Sequence, residues 1–479
     1  MKISNIKFPI SNTKSNKPGT ILVYNVVVIF IFSMVMLAVL GYATSQLRVI
    51  RSSVNREMAF QIAEAGVNYY QWHLAHYSDD FYDGNASTTP GPYVHDYIDK
   101  DTNQKVGQFA LTITPPLVGS TIVTIKSTGY TLDNPSQKRN ITVRYGVPSL
   151  AKYAFLTNTD VWIGSTESVS GEMHANGGIR FDGTGNAPIT TFKNDYPSPG
   201  PGYQCQTYHG CGPTWKPGIW GTAPASTRAF WQMSVPYEDF TSITSNFNAI
   251  EAQATGLADL PPSTVFGYSL VFKANASVDV YKVTALRAHP NGTDVNGVSH
   301  SEDLDYGVAG RVFQYNMVMP TSGVIFVKDH VWVEGVVKGR VVVAATVYST
   351  NPAQQARILI PNSITYAAKD GTNSLGLIAE KDVLVTYFAP NTMEIDAAMI
   401  AQQGSVQVYY FGTPKTSITI YGSVASFGVW TWSWENGSGV CTSGYCNTFT
   451  TYDSDLLYAP PPSFPLSTDG YQQITWGSD

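Results

Sequence analysis

Charge is scarce in this 479-residue sequence: Asp, Glu, Lys and Arg together make up 13%, about half the share of an ordinary soluble domain. The formal net charge is −6 and no Lys/Arg cluster follows the N-terminus. Without a basic field to neutralise phosphates, nucleic acid is excluded as the expected partner. GxSxG, P-loop, Rossmann-glycine and HExxH motifs are all missing, so no common nucleophile, nucleotide or metalloprotease chemistry is announced, and neither cofactor nor metal is implied. Cysteine is rare, at four residues. Aromatics reach 13%, and Gly and Pro number 41 and 28. Little charge with many aromatics and turn formers suggests an all-β, extracytoplasmic body, and the length leaves room for two or three domains.

Residues 18–47 contain no Asp, Glu, Lys, Arg or His, and 21–40 are almost wholly apolar, long enough as a helix to cross roughly 30 Å of hydrocarbon. Lys2, Lys7, Lys14 and Lys17 precede this stretch with no acidic residue among them. The expectation is a single pass through the cytoplasmic (inner) membrane, with the N-terminus in the cytoplasm and the rest extracytoplasmic or at the cell surface. A cleaved signal ending at Gly41-Tyr42-Ala43 is the alternative, but its apolar region exceeds the roughly 7–15 residues of signal peptides. Beyond Arg48 and Arg51, the residues Val54, Met58, Ile62, Ala65, Tyr69 and Trp72 recur at steps of three and four, which predicts one apolar helix face. Ala59, Ala63, Gly66 and Tyr70 form a flanking, mostly small stripe. One continuous helix over about 20–75 follows.

A Lys-bearing leader ending in Gly19, an apolar stretch opening at Thr20-Ile21-Leu22-Val23 and the later Ala63-Glu64-Ala65-Gly66 together resemble the N-terminus of type IV pilin-like proteins, in particular minor pilins of the PilX N-terminal type. The resemblance implies cutting by a prepilin peptidase between Gly19 and Thr20, association with the membrane and with other pilin-like subunits, and a long helix laid on a small antiparallel sheet. Segments 107–114, 121–131 and 140–145 alternate apolar and polar residues as such strands do, with a turn at Asp133-Asn134-Pro135-Ser136. Major pilins carry glutamate where this sequence has Tyr24, which puts ordinary filament incorporation in doubt and points to tip-located minor pilins and pseudopilins. The resemblance covers the first third of the chain. The division expected is a leader over 1–19, a transmembrane and amphipathic helix over 20–77, a small antiparallel sheet over 78–148 and a β-rich body over 149–479.

In that body short apolar runs at 324–327, 331–333, 336–337 and 341–345, and others from 356 to 427, are often joined by only two or three residues. This favours an irregular β-solenoid over a sandwich, giving a mainly β fold with one long helix. Phe240, Ile243, Phe247, Ile250 and Ala254, followed by Gly256, predict a helix that caps the solenoid or covers a sheet edge. The loop over 192–231 is rich in Pro, Gly and aromatics, and loops of this kind are usually functional or disordered. Its Trp215, Trp220 and Trp231 are candidate contacts for a surface polysaccharide. Cys205 with Cys211 and Cys441 with Cys446 each sit in a Gly-containing loop that can turn back on itself. Local disulfides are expected outside the cell, with metal binding the alternative, although no His pair accompanies them at zinc-finger spacing.

Other polar residues have plain structural roles open to them. His73 and His76 lie three apart on the helix without a carboxylate at ligand spacing. His174 and Asp182 are able to line a polar pocket, yet the Asn176-Gly177-Gly178 beside them reads more simply as a turn. Asp303, Asp305, Glu380 and Asp382 include the types that glycoside hydrolysis pairs, but sequence spacing says nothing of the required separation. Two functions remain: a structural or adhesive surface protein, and a membrane-tethered carbohydrate-active enzyme on a β-helix scaffold.

Overall fold

The computed structural model describes residues 18–89, 91–117, 119–198, 214–240, 247–436, 440–467 and 469–479. Helix α1 (Pro18–His76) runs unbroken for 59 residues, roughly 90 Å at 1.5 Å per residue. Residues 21–50 are exposed throughout. With a mean hydropathy of 2.7 in its most apolar window, this part is long and apolar enough to cross a membrane. From Ala59 onward α1 instead lies on an antiparallel meander of β1 (Tyr93–Ile98), β2 (Lys105–Thr114), β3 (Val123–Thr131) and β4 (Arg139–Gly146). Burial alternates along β3 and β4, and Phe109, Leu111, Ile125, Ile141 and Val143 close one core with Ile62, Val67, Tyr70 and Leu74.

The helix face differs from the expected one. Val54, Met58 and Trp72 remain exposed, whereas Ala59, Ile62, Ala63, Val67 and Tyr70 are buried. The stripe of small residues therefore faces the sheet. Gly129 of β3 meets the backbone of Ala59 and Ala63 so closely that a Cβ there would collide with both, and a Cβ on Gly66 would strike Ser127 and Phe109. Close approach of helix to sheet at these points selects small side chains, and Val54, Met58 and Trp72 are left outside the contact.

A fifth strand, Gln472–Ser478, pairs antiparallel with β4. The small sheet is thus built from two distant segments, and the body is inserted between them, whereas the sequence division left 149–479 whole. The incoming and outgoing chains run side by side at the junction. Ser149 Oγ donates to the Leu456 carbonyl at 2.7 Å, Leu150 N–H to Pro465 at 3.0 Å, and Ser467 N–H to Pro148 at 2.9 Å. A short apolar–polar sequence over 472–478 carries no mark of which strand it will join.

The body is a three-faced solenoid of stacked parallel strands. Along its first face lie Asp259–Leu260, Val324–Val327, Arg340–Ala345, Ser374–Ala379 and the ends of Thr392–Ala401 and Pro414–Ser426. These are followed by Phe155–Thr157, Met173–Ala175, Ile189–Thr191 and Trp231–Gln232. One inward row reads Ile325, Val343, Leu377, Met399, Val424, Phe155, Met173 and Ile189 in strict register. Strands buried on both faces have near-continuous apolar sequences, which is why these runs lack alternation.

This order is not the order of the chain. The polypeptide enters the solenoid at Phe155, winds to one end by Gln232, crosses back along the outside and restarts at Asp259 at the other end. It then winds inward until Val424–Ser426 pairs with Phe155–Thr157. Phe240, Phe247 and Ile250 of the crossing segment cover the outward apolar residues Phe326, Ile378, Ile400 and Ala425. The expected helix is represented by Phe247–Glu251, Ile243 lying outside the described residues. It covers a sheet face rather than an edge.

Candidate functional site

The second solenoid face stacks Val331–Val337, Ile358–Ile360, Val383–Val385 and Val406–Val408. Their inward residues are Val and Ile; outward, Trp332, Leu359 and Leu384 form an apolar ladder that water would otherwise wet. Residues 284–310, between the antiparallel strands Ser277–Val283 and Arg311–Val318, fold over this ladder and pack Leu286, Leu304 and Tyr306 onto it. The Trp332 indole donates to the Leu304 carbonyl at 2.8 Å. Thr293 and Tyr410 exchange backbone hydrogen bonds at 3.0 and 2.8 Å, and Val295 N–H donates to Gln407 at 3.1 Å.

Beside this cover lies a cleft of about 840 Å³. One wall includes His330 and Arg357, from the polar corner that precedes each strand of the second face, where register stacks His330, Arg357, Asp382 and Ser405 on successive coils. Arg357 N–H donates to His330 Nδ1 at 3.0 Å, its Nε to Asp382 at 3.3 Å, and Ser405 N–H to Asp382 at 2.8 Å. The other wall is residues 300–304 of the cover. Glu302 accepts from Arg357 Nη1 at 2.9 Å, and His300 bridges Asp294 and Glu302 at 3.0 and 3.1 Å while stacking on Tyr409. Burial, then the Arg357 charge, pushes His330 below the usual imidazole range. Lys381 is depressed for the same two reasons in the same order.

Of the carboxylates singled out in the sequence, only Asp303 lines this cleft. Glu380 accepts backbone N–H bonds from Val347, Ser349 and Ala356 at 2.9–3.0 Å, fixing the turn over 346–356. Asp382 is held by Arg357 and Ser405. Asp305 is buried under the Phe388 amide, its carboxyl pushed up by burial. Glu302, Arg357 and Lys381 were missed. No sequence signal marks them, since they meet only through coil stacking and a cover loop.

The other candidates are dispersed. Trp220 stacks on the cations of Arg180 and Lys216, and Arg180 also faces Trp162 and pairs with Asp182 at 2.7 Å. Trp231 pairs with Ile189 and is partly buried on the solenoid core. The backbone of Trp215 pairs with Pro197. His174 is buried between Thr190 and Asn176, at 2.8 and 3.1 Å, while Asp182 turns to Trp162 and Thr222. Asn176 holds the crossing segment through both backbone groups of Glu238. His73 bonds Asp80 and His76 the Trp72 carbonyl, so the two rings face different partners. Cys441 and Cys446 form a disulfide; Cys205 and Cys211 lie outside the described residues. Gly19 and Thr20 stand in the first turn of α1, and the leader before Pro18 lies outside the described residues.

No protein-family model matches the sequence, and no curated protein does. Among solved structures, the competence-associated pilin ComZ from Thermus thermophilus aligns with 89% of this chain and 98% of its own, at 12% identity and a TM-score of 0.27. A likeness at that level carries no argument about fold or function.

In this cleft charged groups of both signs, an apolar floor and solvent-accessible volume coincide. Its lining presents Glu302, Asp303, Arg357 and Lys381 as hydrogen-bonding groups and Phe266 and Leu286 as apolar surface, the mixture that ligand-binding clefts have.

Proposed function

We propose that this chain is a membrane-anchored or pilus-associated surface protein of the type IV pilin-like class, structural or adhesive in role, whose inserted solenoid is displayed outside the cell. The observation that carries the reading is the division of α1. Its first half is apolar and has no protein partner, and its second half is clamped to a small antiparallel sheet. A fully exposed apolar helix is stable only in lipid or against other helices of its kind. The leader lysines support a cytoplasmic N-terminus, and a prepilin peptidase cutting before Thr20 would release the helix for assembly with other pilin-like subunits. Tyr24 supplies no carboxylate to a neighbour's new amine, which favours a filament tip or retention in the membrane over the shaft. The cleft under residues 284–310 gives such a protein a place to engage a surface polysaccharide.

The reading is tested by Gly19→Arg, which places a large cation at the cut site. The leader should then be retained and the protein should vanish from sheared surface filaments while remaining in the membrane fraction, because drawing its lysines through lipid costs at least a few kcal/mol each. Unchanged recovery in the sheared fraction would contradict it.

A further inference from the structure

The cleft contains a cation whose ion pair within the protein is long. The Lys381 side chain is 19% exposed, and its nearest carboxylate oxygen, on Asp382, lies at 4.0 Å, outside hydrogen-bond distance. Among the described residues the Lys381 ammonium donates no hydrogen bond. Asp382 is already held by Arg357 Nε and Ser405 N–H. An ammonium removed from most of its water and facing a neighbouring guanidinium is costly unless something else accepts its protons. Its position at the wall of an 840 Å³ cleft says what that partner is: a group brought by a ligand.

The rest of the lining narrows the ligand. Ser301, Glu302 and Asp303 present a hydroxyl and two carboxylates, suited to accept from ligand hydroxyls, and Phe266 and Leu286 offer apolar surface. A doubly charged phosphate would be repelled by Glu302 and Asp303 more strongly than a single carboxylate directed at Lys381. The volume far exceeds that of a lone ion. We propose that this cleft binds a hydroxylated carboxylate of the sugar-acid class, with Lys381 anchoring the carboxylate and Glu302 and Asp303 taking the hydroxyls. The proposal rests on the adhesive reading above, in that a displayed body needs a ligand, but its test does not depend on where the protein resides.

The test titrates full-length protein in detergent with a uronic-acid trisaccharide and with the same trisaccharide after its carboxyls are reduced to alcohols. The acid form should bind at least about tenfold more tightly. Lys381→Gln should bring the two forms level, and Lys381→Arg should keep the preference. In the unaltered protein the acid trisaccharide should also shield Lys381 from acylation, a readout that needs no variant to fold. Equal binding of both forms, no binding of either, a preference that survives Lys381→Gln, or acylation of Lys381 unaffected by the ligand would each overturn the proposal.

Discussion

Thr157 donates its hydroxyl to the Gly428 carbonyl at 3.0 Å, joining residues 271 positions apart. The bond belongs to the seam where the last coil of the solenoid meets the first. Nearby, Phe155 stacks on Trp430 with ring centres 4.2 Å apart and planes 13° from parallel. Because the chain starts in the middle, neither half of the solenoid caps the other until both are wound, and the seam forms from the most distant contacts in the body.

Phe155→Ala should therefore cost about 3–5 kcal/mol, the usual range for a buried phenylalanine. It should also split a single denaturant transition into two, as the coils before and after the seam lose their coupling. Urea unfolding followed by tryptophan fluorescence checks both; one transition with an unchanged midpoint would refute the seam's role.

The helix–sheet contact gives a second prediction. Gly129→Val pushes α1 away from β3 and should destabilise by about 1–3 kcal/mol. Trp72→Ala, on the exposed face, should stay within about 0.5 kcal/mol. Denaturant midpoints of the two variants distinguish the face seen here from the one the periodicity suggests.

That contrast shows what the sequence makes legible. Spacing of apolar residues located α1 and the near-continuous Val and Ile runs announced a solenoid, because both signals are local and periodic. The buried face of α1 differs from the periodic one because Gly129 and Gly107 decide it from across the interface. The return of Gln472–Ser478 to β4 and the reversed order of coils are pairings between distant segments, and no local pattern encodes them. The same holds for the cleft. Asp303 was noticed as one carboxylate among many, while Arg357 and Lys381 acquire meaning only when successive coils stack.

Titration should follow two opposing groups. His174 and His330 are held below the ordinary imidazole value, chiefly by burial, so their contribution is present above about pH 6.5 and lost as pH falls below it. Glu167 is pushed up to about 8 by burial and by Glu435; its contribution is full below the ordinary carboxyl range and is lost as pH rises through 8. With the opposing carboxyl removed by Glu167→Gln, melting temperatures should thus fall by a few degrees between pH 7 and 5.5, and Glu167→Gln should raise the melting temperature at pH 8.5 while leaving it unchanged at pH 4. A Glu167→Gln protein less stable at pH 8.5 would show the carboxyl to be well partnered.

The Cys441–Cys446 disulfide closes a small loop with a sequence separation of 5. Reduction should cost no more than about 2 kcal/mol by loop entropy. Protein isolated from the cell surface should take up no alkylating reagent before reduction, and Cys205 and Cys211 should map to a second local pair in one peptide. Free thiols in that preparation would contradict an oxidised, extracytoplasmic body.

The most direct measurement is the N-terminal sequence of the mature protein purified from cells. A first residue of Thr20 is the result expected of a pilin-like subunit whose leader is removed at the cytoplasmic face, with the apolar half of α1 left intact for the membrane or a filament. A first residue of Thr44 would mean that this half is a discarded signal peptide, and would contradict the proposed function outright.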